Sequence, residues 1–118
     1  MFSVTSTTDI TAHQIADLMT SAMEGGSGYW IASITPRYLK HEEYSSADAY
    51  GPTMVPRTFK AEDDDNEYIL DFEAIQKGLQ VMADNFPTDF GDLRNDEADA
   101  DTADIFLQCC LFGDLIYV

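Results

Sequence analysis

The chain has 118 residues, 45% of them apolar, and carries 22 acids against six bases, a formal net charge of −16. That length fits a single domain spanning 1–118 with a modest core, and the apolar content excludes a disordered acidic tail. The scarcity of bases excludes direct nucleic-acid binding, which needs clustered Lys and Arg, and ordinary solubility accounts for only roughly 2–8 units of net charge.

The N-terminal residues Met1 to Thr8 show no basic stretch followed by an apolar one, so no signal peptide is expected. Residues 9–24 predict a helix. Thr11 and Gln14 have capping-box spacing, and Ile15, Leu18, Met19, Ala22 and Met23 form one apolar stripe. Gly25 and Gly26 stop it, on the expectation of a left-handed residue past the helix end. Tyr29 to Ile34 reads as a strand or a second short helix, limited by Pro36. Residues 36–56 hold Pro36, Gly51, Pro52 and Pro56 among polar residues and read as an irregular surface segment.

Arg57 to Glu62 and Glu67 to Phe72 predict a hairpin around Asp63-Asp64-Asp65-Asn66, with Phe59 and Ala61 alternating on one arm and Tyr68 and Leu70 on the other. Asp71 caps a helix over 72–85, whose stripe runs Phe72, Ile75, Leu79, Met82, Phe86 before Pro87 ends it. Residues 88–101 read as an acidic connector. Asp101 or Thr102 caps a third helix from about 102 to 112, apolar from Ile105 to Phe112 except for Gln108, and therefore central in the core or at a subunit interface. Gly113 ends it, and Leu115 to Val118 forms a last strand. The expected fold is α+β, about three helices packed with a small antiparallel sheet.

No apolar run reaches the ~18 residues of a membrane span. The only cysteines, Cys109 and Cys110, would point about 100° apart on a helix and read as core thiols in a reducing cytoplasm.

Motifs for chemistry fail one by one. From Asp63, an EF-hand loop needs Gly at its sixth position and Glu at its twelfth, where Tyr68 and Ala74 stand. His13 and His41, the only histidines, have no metal-ligand spacing. Gly26-Ser27-Gly28 is too short for a nucleophile elbow and follows a helix. The sequence thus indicates no enzyme, no metal and no cofactor.

The charge is uneven. Residues 62–104 hold fifteen acids and two bases. Duplex DNA carries one charge per ~1.7 Å, and carboxylates along one face offer a cruder version of that field to a basic groove. The plain alternative is a solvated acidic face or adaptation to salt. Asp63, Asp64, Asp65, Glu67, Asp92, Asp96, Glu97, Asp99 and Asp101 are the candidate partner-binding residues. Gly26, Gly28, Tyr29 and Trp30 are the candidates for an alternative ligand pocket, although Tyr29 and Trp30 also suit core or interface anchoring, with the Trp30 indole needing an acceptor if buried.

The stretches Ala22-Met23-Glu24-Gly25-Gly26-x-x-Tyr29-Trp30 and Asp101-Thr102-Ala103-Asp104-Ile105 … Cys110-Leu111-Phe112-Gly113-Asp114 resemble a group of small phage and mobile-element proteins with an E-G-G-x-x-Y-W stretch and a D-A-D-T-A-D-x-x-x-Q-x-x-x-F-G-[ED] ending. The resemblance covers both ends of the chain and leaves 36–66 unmatched. It implies a phage or prophage setting and carries no functional residue with it. Small acidic proteins of that setting include DNA mimics of the anti-restriction and anti-CRISPR kind. The leading expectation is therefore a non-enzymatic cytoplasmic inhibitor of a basic, nucleic-acid-binding host defence protein, with no membrane partner and with a homodimer compatible. The alternatives are a protein that sequesters a small molecule or nucleotide, and a phage structural or assembly component.

Overall fold

The computed structural model describes residues 2–3, 9–35 and 57–118; the expected irregular segment 36–56 lies outside them. Among the described residues the fold is α+β, with four helices and a three-stranded antiparallel sheet. Two-residue strands β1 (Phe2–Ser3) and β2 (Asp9–Ile10) pair near the N-terminus. Helix α1 (Ala12–Ser21) follows, and its first two described residues of the expected span belong to β2 instead. The capping box forms as its spacing predicts: Gln14 N donates to Thr11 Oγ1 at 3.1 Å, and Thr11 N donates to Gln14 Oε1 at 2.9 Å.

The end of α1 differs from expectation. It runs into one wide turn, Ala22–Gly26, closed by Ser27 N donating to Ala22 O at 3.0 Å. Gly25 has φ 176, so no left-handed residue stops the helix here. Gly26 serves packing: a Cβ there would stand 2.5 Å from Ala100 O.

Strands β3 (Ile31–Thr35), β4 (Arg57–Ala61) and β5 (Glu67–Leu70) form the sheet in that order. A bulge between Ile31 and Ser33 lets Ile31 face Ala61 and Ile34 face Phe59. The extra residue therefore keeps both isoleucines on the core side. Phe59, Ala61 and Leu70 are buried, following the expected alternation.

Asp71 caps α2 (Phe72–Asn85) by accepting from Ala74 N at 2.8 Å. Ile75, Leu79 and Met82 are fully buried, each burial stabilising the fold by about 1.5–3 kcal/mol. Phe72, expected on that stripe, is more than half exposed. The acidic connector is a correction: Pro87 both ends α2 and opens α3 (Pro87–Arg94), where proline at the first position costs no helical hydrogen bond. Phe90 and Leu93, three apart, bury one face of it.

Helix α4 (Ala100–Phe112) starts earlier than predicted, because the cap is Asp99, whose Oδ1 accepts from Thr102 N at 2.9 Å. It packs on α1, α2, α3 and β5, with residues 102–104 and 106–110 buried, which makes it the central core helix. Its closest neighbour is α2. A Cβ on Gly78 would stand 2.6 Å from Cys110 Cα and 2.7 Å from its N, so the two backbones meet only because residue 78 is glycine. Gly113 ends the helix as expected, in the left-handed conformation at φ 72. The predicted last strand does not form; residues 115–118 are irregular and are held by side chains of α4. Among the described residues, no helix is long and apolar enough to cross a membrane.

Candidate functional site

The two ends that carry the resemblance meet in space. Asp104, on the first turns of α4, is 7% exposed and accepts three hydrogen bonds. Its Oδ1 takes Trp30 Nε1 at 2.7 Å and Ser27 Oγ at 2.8 Å, and its Oδ2 takes Tyr29 Oη at 2.6 Å. The buried indole thus has its acceptor. One turn later on the same helix, Gln108 is fully buried and spends its amide on the C-terminal segment. Its Oε1 accepts from Ile116 N and Tyr117 N, each at 2.8 Å, and its Nε2 donates to Tyr117 O at 3.0 Å. A side chain thereby satisfies the backbone groups that a neighbouring strand would otherwise take.

The segment so held places Tyr117 flat against Trp30, with ring centroids 5.4 Å apart and planes 4° apart, while Phe112 meets both rings at a tilt. Tyr117 Oη donates to Asp63 Oδ1 at 2.6 Å, which ties the segment to the turn of the β4–β5 hairpin. Tyr29 Oη also lies 3.0 Å from Tyr117 O. The acids thus stand close to both tyrosines. Burial and the Asp104 carboxylate push Tyr29 up to about 12. The bond to Asp63, followed by burial and the charges of Asp63 and Asp64, pushes Tyr117 up to about 12.

The candidate acids divide into two kinds. Some are built into the fold. Asp63 holds Tyr117. Asp64 accepts from Asn66 N at 2.9 Å and from the Tyr68 hydroxyl, which together hold its carboxyl below the usual range. Asp99, bonded to Thr102 N and Oγ1, is likewise lowered. Asp96, left-handed at φ 59, accepts from Gln14 Nε2 at 3.1 Å and so faces α1. Others are available: Asp65, Glu67, Glu97 and Asp101 are exposed and hold no side-chain hydrogen bond or ion pair among the described residues. Asp92 is half-buried, and it stands with Asp99 and Asp101 near Asp89, whose carboxyl is raised by burial first and by those three charges next. Asp63 and Asp64 of the hairpin turn stand beside Tyr117, and Asp101 and Asp104 of α4 stand beside Tyr29, while Asp96 turns towards α1.

Of the alternative pocket residues, Trp30 is 2% exposed and Gly26 abuts the Ala100 backbone. Gly28 is exposed. Tyr29, half exposed, borders a cavity of about 430 Å³ with Asp101, Asp104, Ile105, Leu115, Tyr117 and Val118. Among the described residues no three His, Cys, Asp or Glu side chains stand close enough to hold a metal ion. Burial pushes the Cys109 thiol up to about 12 and raises Cys110 well above its ordinary value, so both are unreactive protonated thiols at neutral pH.

The sequence assigns no site role to Asp104 or Tyr117, marks Gln108 only as the polar break in an apolar helix, and offers Ser27 only as a nucleophile elbow whose spacing fails. Two polar residues one turn apart on the buried side of an otherwise apolar helix were the available signal. Comparison with protein-family models, with curated proteins and with solved structures finds nothing that matches this chain.

Proposed function

We propose that this chain is a non-enzymatic acidic binding protein that engages a basic, nucleic-acid-binding host protein and occupies the Lys and Arg that otherwise hold phosphates. The observation that supports this reading is the placement of the charge. Of the fifteen acids in 62–104 only Asp104 is buried, and Lys77, one of the two bases there, is already paired with Glu73 at 2.8 Å. The remaining carboxylates present a field with little compensation, and several are fixed in position by hydrogen bonds, which lowers the entropy lost when a partner docks. In the phage or mobile-element setting that the resemblance implies, the partner would be a defence protein and the effect inhibition, as in DNA mimicry.

Sequestration of a nucleotide beside Tyr29 has less support, because two carboxylates line that cavity and would repel phosphates. The test is capture from host lysate at low salt on immobilised protein, eluted first with a salt gradient and then with duplex DNA. Reversal of Asp65, Glu67 and Asp101 to Lys, at positions whose exposed side chains hold no hydrogen bond or ion pair among the described residues, is expected to leave the protein folded and to abolish capture of the basic protein. Undiminished capture by that variant, or retention that neither salt nor DNA reverses, would sink the proposal.

A further inference from the structure

The cavity beside Tyr29 is chemically distinct from the open acidic surface. Its walls combine two tyrosines, aliphatic Ile105 and Leu115, and the carboxylates of Asp101 and Asp104. At about 430 Å³ it falls within the roughly 300–1,000 Å³ of ordinary ligand sites. Asp104 is more than nine-tenths buried, yet no Lys, Arg or His pairs with it among the described residues. Its hydrogen bonds are also unequal. Oδ1 accepts two and Oδ2 only one, from Tyr29, so one acceptor position of an ordinary carboxylate remains unused. A buried negative charge with spare acceptor capacity, next to aromatic rings and an exposed second carboxylate, suits a cation that is planar, weakly hydrated and able to donate several hydrogen bonds. A guanidinium meets all three conditions, and its aliphatic stem matches Ile105 and Leu115. An ammonium is a more strongly hydrated point charge.

We propose that this cavity is the anchor site for one arginine side chain of the basic partner. The inference rests on the proposed function for the source of the arginine, but the pocket can be tested without it. Backbone-amide and indole NMR shifts of the whole protein at 0.15 M salt would be followed during titration with N-acetyl-arginine amide. N-acetyl-citrulline amide, the neutral isostere, and N-acetyl-lysine amide serve as controls. The expected result is saturable shifts confined to Tyr29, Trp30, Ile105 and residues 115–118, with lysine about threefold or more weaker and citrulline inert. Asp101→Asn, an exposed change, should weaken arginine binding about threefold to tenfold. Ile105→Arg, which supplies the cation internally, should remove it while leaving the protein folded.

Citrulline binding equal to arginine, shifts spread over the acidic surface, or binding unaltered by Ile105→Arg overturns the pocket. Those outcomes leave lysate capture by the wild-type protein untouched, and loss of that capture is what would overturn the broader reading.

Discussion

Removing the Asp104 carboxylate is the sharpest perturbation of the fold. Asp104→Ala leaves Trp30 Nε1–H and the Ser27 hydroxyl, both buried, without their acceptor. Each orphaned donor costs about 1–3 kcal/mol. The Tyr29 hydroxyl loses less, because Tyr117 O lies within 3.0 Å of it. The expected loss is therefore about 3–5 kcal/mol, a large share of the ~5–15 kcal/mol that a domain of this kind has in total. Asp104→Asn keeps one carbonyl oxygen for Trp30 and Ser27 and turns the other position into a donor. Tyr29 Oη can accept from that donor while giving its own proton to Tyr117 O, so the cost falls to about 1 kcal/mol. The assay is urea unfolding followed through Trp30, the only tryptophan. It should be run at 1 M salt, where the ~3 Å Debye length removes the stabilisation that loss of one charge would otherwise confer on a −16 chain. An Ala variant within about 1 kcal/mol of wild type, or an Asn variant as damaged as Ala, would refute the assignment of Asp104 as the acceptor that locks these segments together.

Gly78→Ala should destabilise by about 1–3 kcal/mol from overpacking against the Cys110 backbone, despite a helix-propensity gain of about 1 kcal/mol; a neutral or stabilised variant in thermal unfolding would mean that α2 and α4 can separate freely. Tyr29 and Tyr117 stand at about 12 in the folded chain against an ordinary 10.0. Their neutral forms are thus favoured by folding, and the stability they contribute is complete below pH 10 and lost as pH rises from 10 towards 12. Urea midpoints across that range should fall, and fall less steeply in Tyr117→Phe; a flat profile, or an unchanged slope in the variant, would contradict the hydroxyl–carboxylate contacts.

Much of the fold was legible because local chemistry and the core agree. Thr11 with Gln14, Asp71 before an apolar stripe, and Gly113 after one are signals set by a few neighbouring residues, and each terminus formed where its residues predict. The α3 helix was not legible, since only Phe90 and Leu93 mark its buried face among exposed and half-buried polar residues, and Pro87 reads equally as a stop or a start. The C-terminal segment misled for another reason. Its alternating apolar residues resemble a strand, but the side-chain amide of Gln108, a residue brought near by the turn at Gly113, takes the hydrogen bonds a strand would have made.

The candidate acids were visible as a charge block. Their division has two origins: Asp99 is a local helix cap, bonded to Thr102 three residues on, whereas the role of Asp63 depends on Tyr117, 54 residues along the chain, and Asp65 and Asp101 are left available. The Trp30 indole announced that it needed an acceptor. Only the packing of α4 against the turn after α1 shows that Asp104 supplies it.

The most direct measurement of the acidic surface as a phosphate mimic is the salt dependence of its affinity for the captured basic protein, taken from 50 to 500 mM salt with duplex DNA as competitor. The expected result is a steep linear fall of log K with log salt, mutual exclusion with DNA, and a shallower slope in the Asp65, Glu67 and Asp101 reversal variant. Affinity that is flat across that range, or a ternary complex with DNA bound alongside, would contradict it.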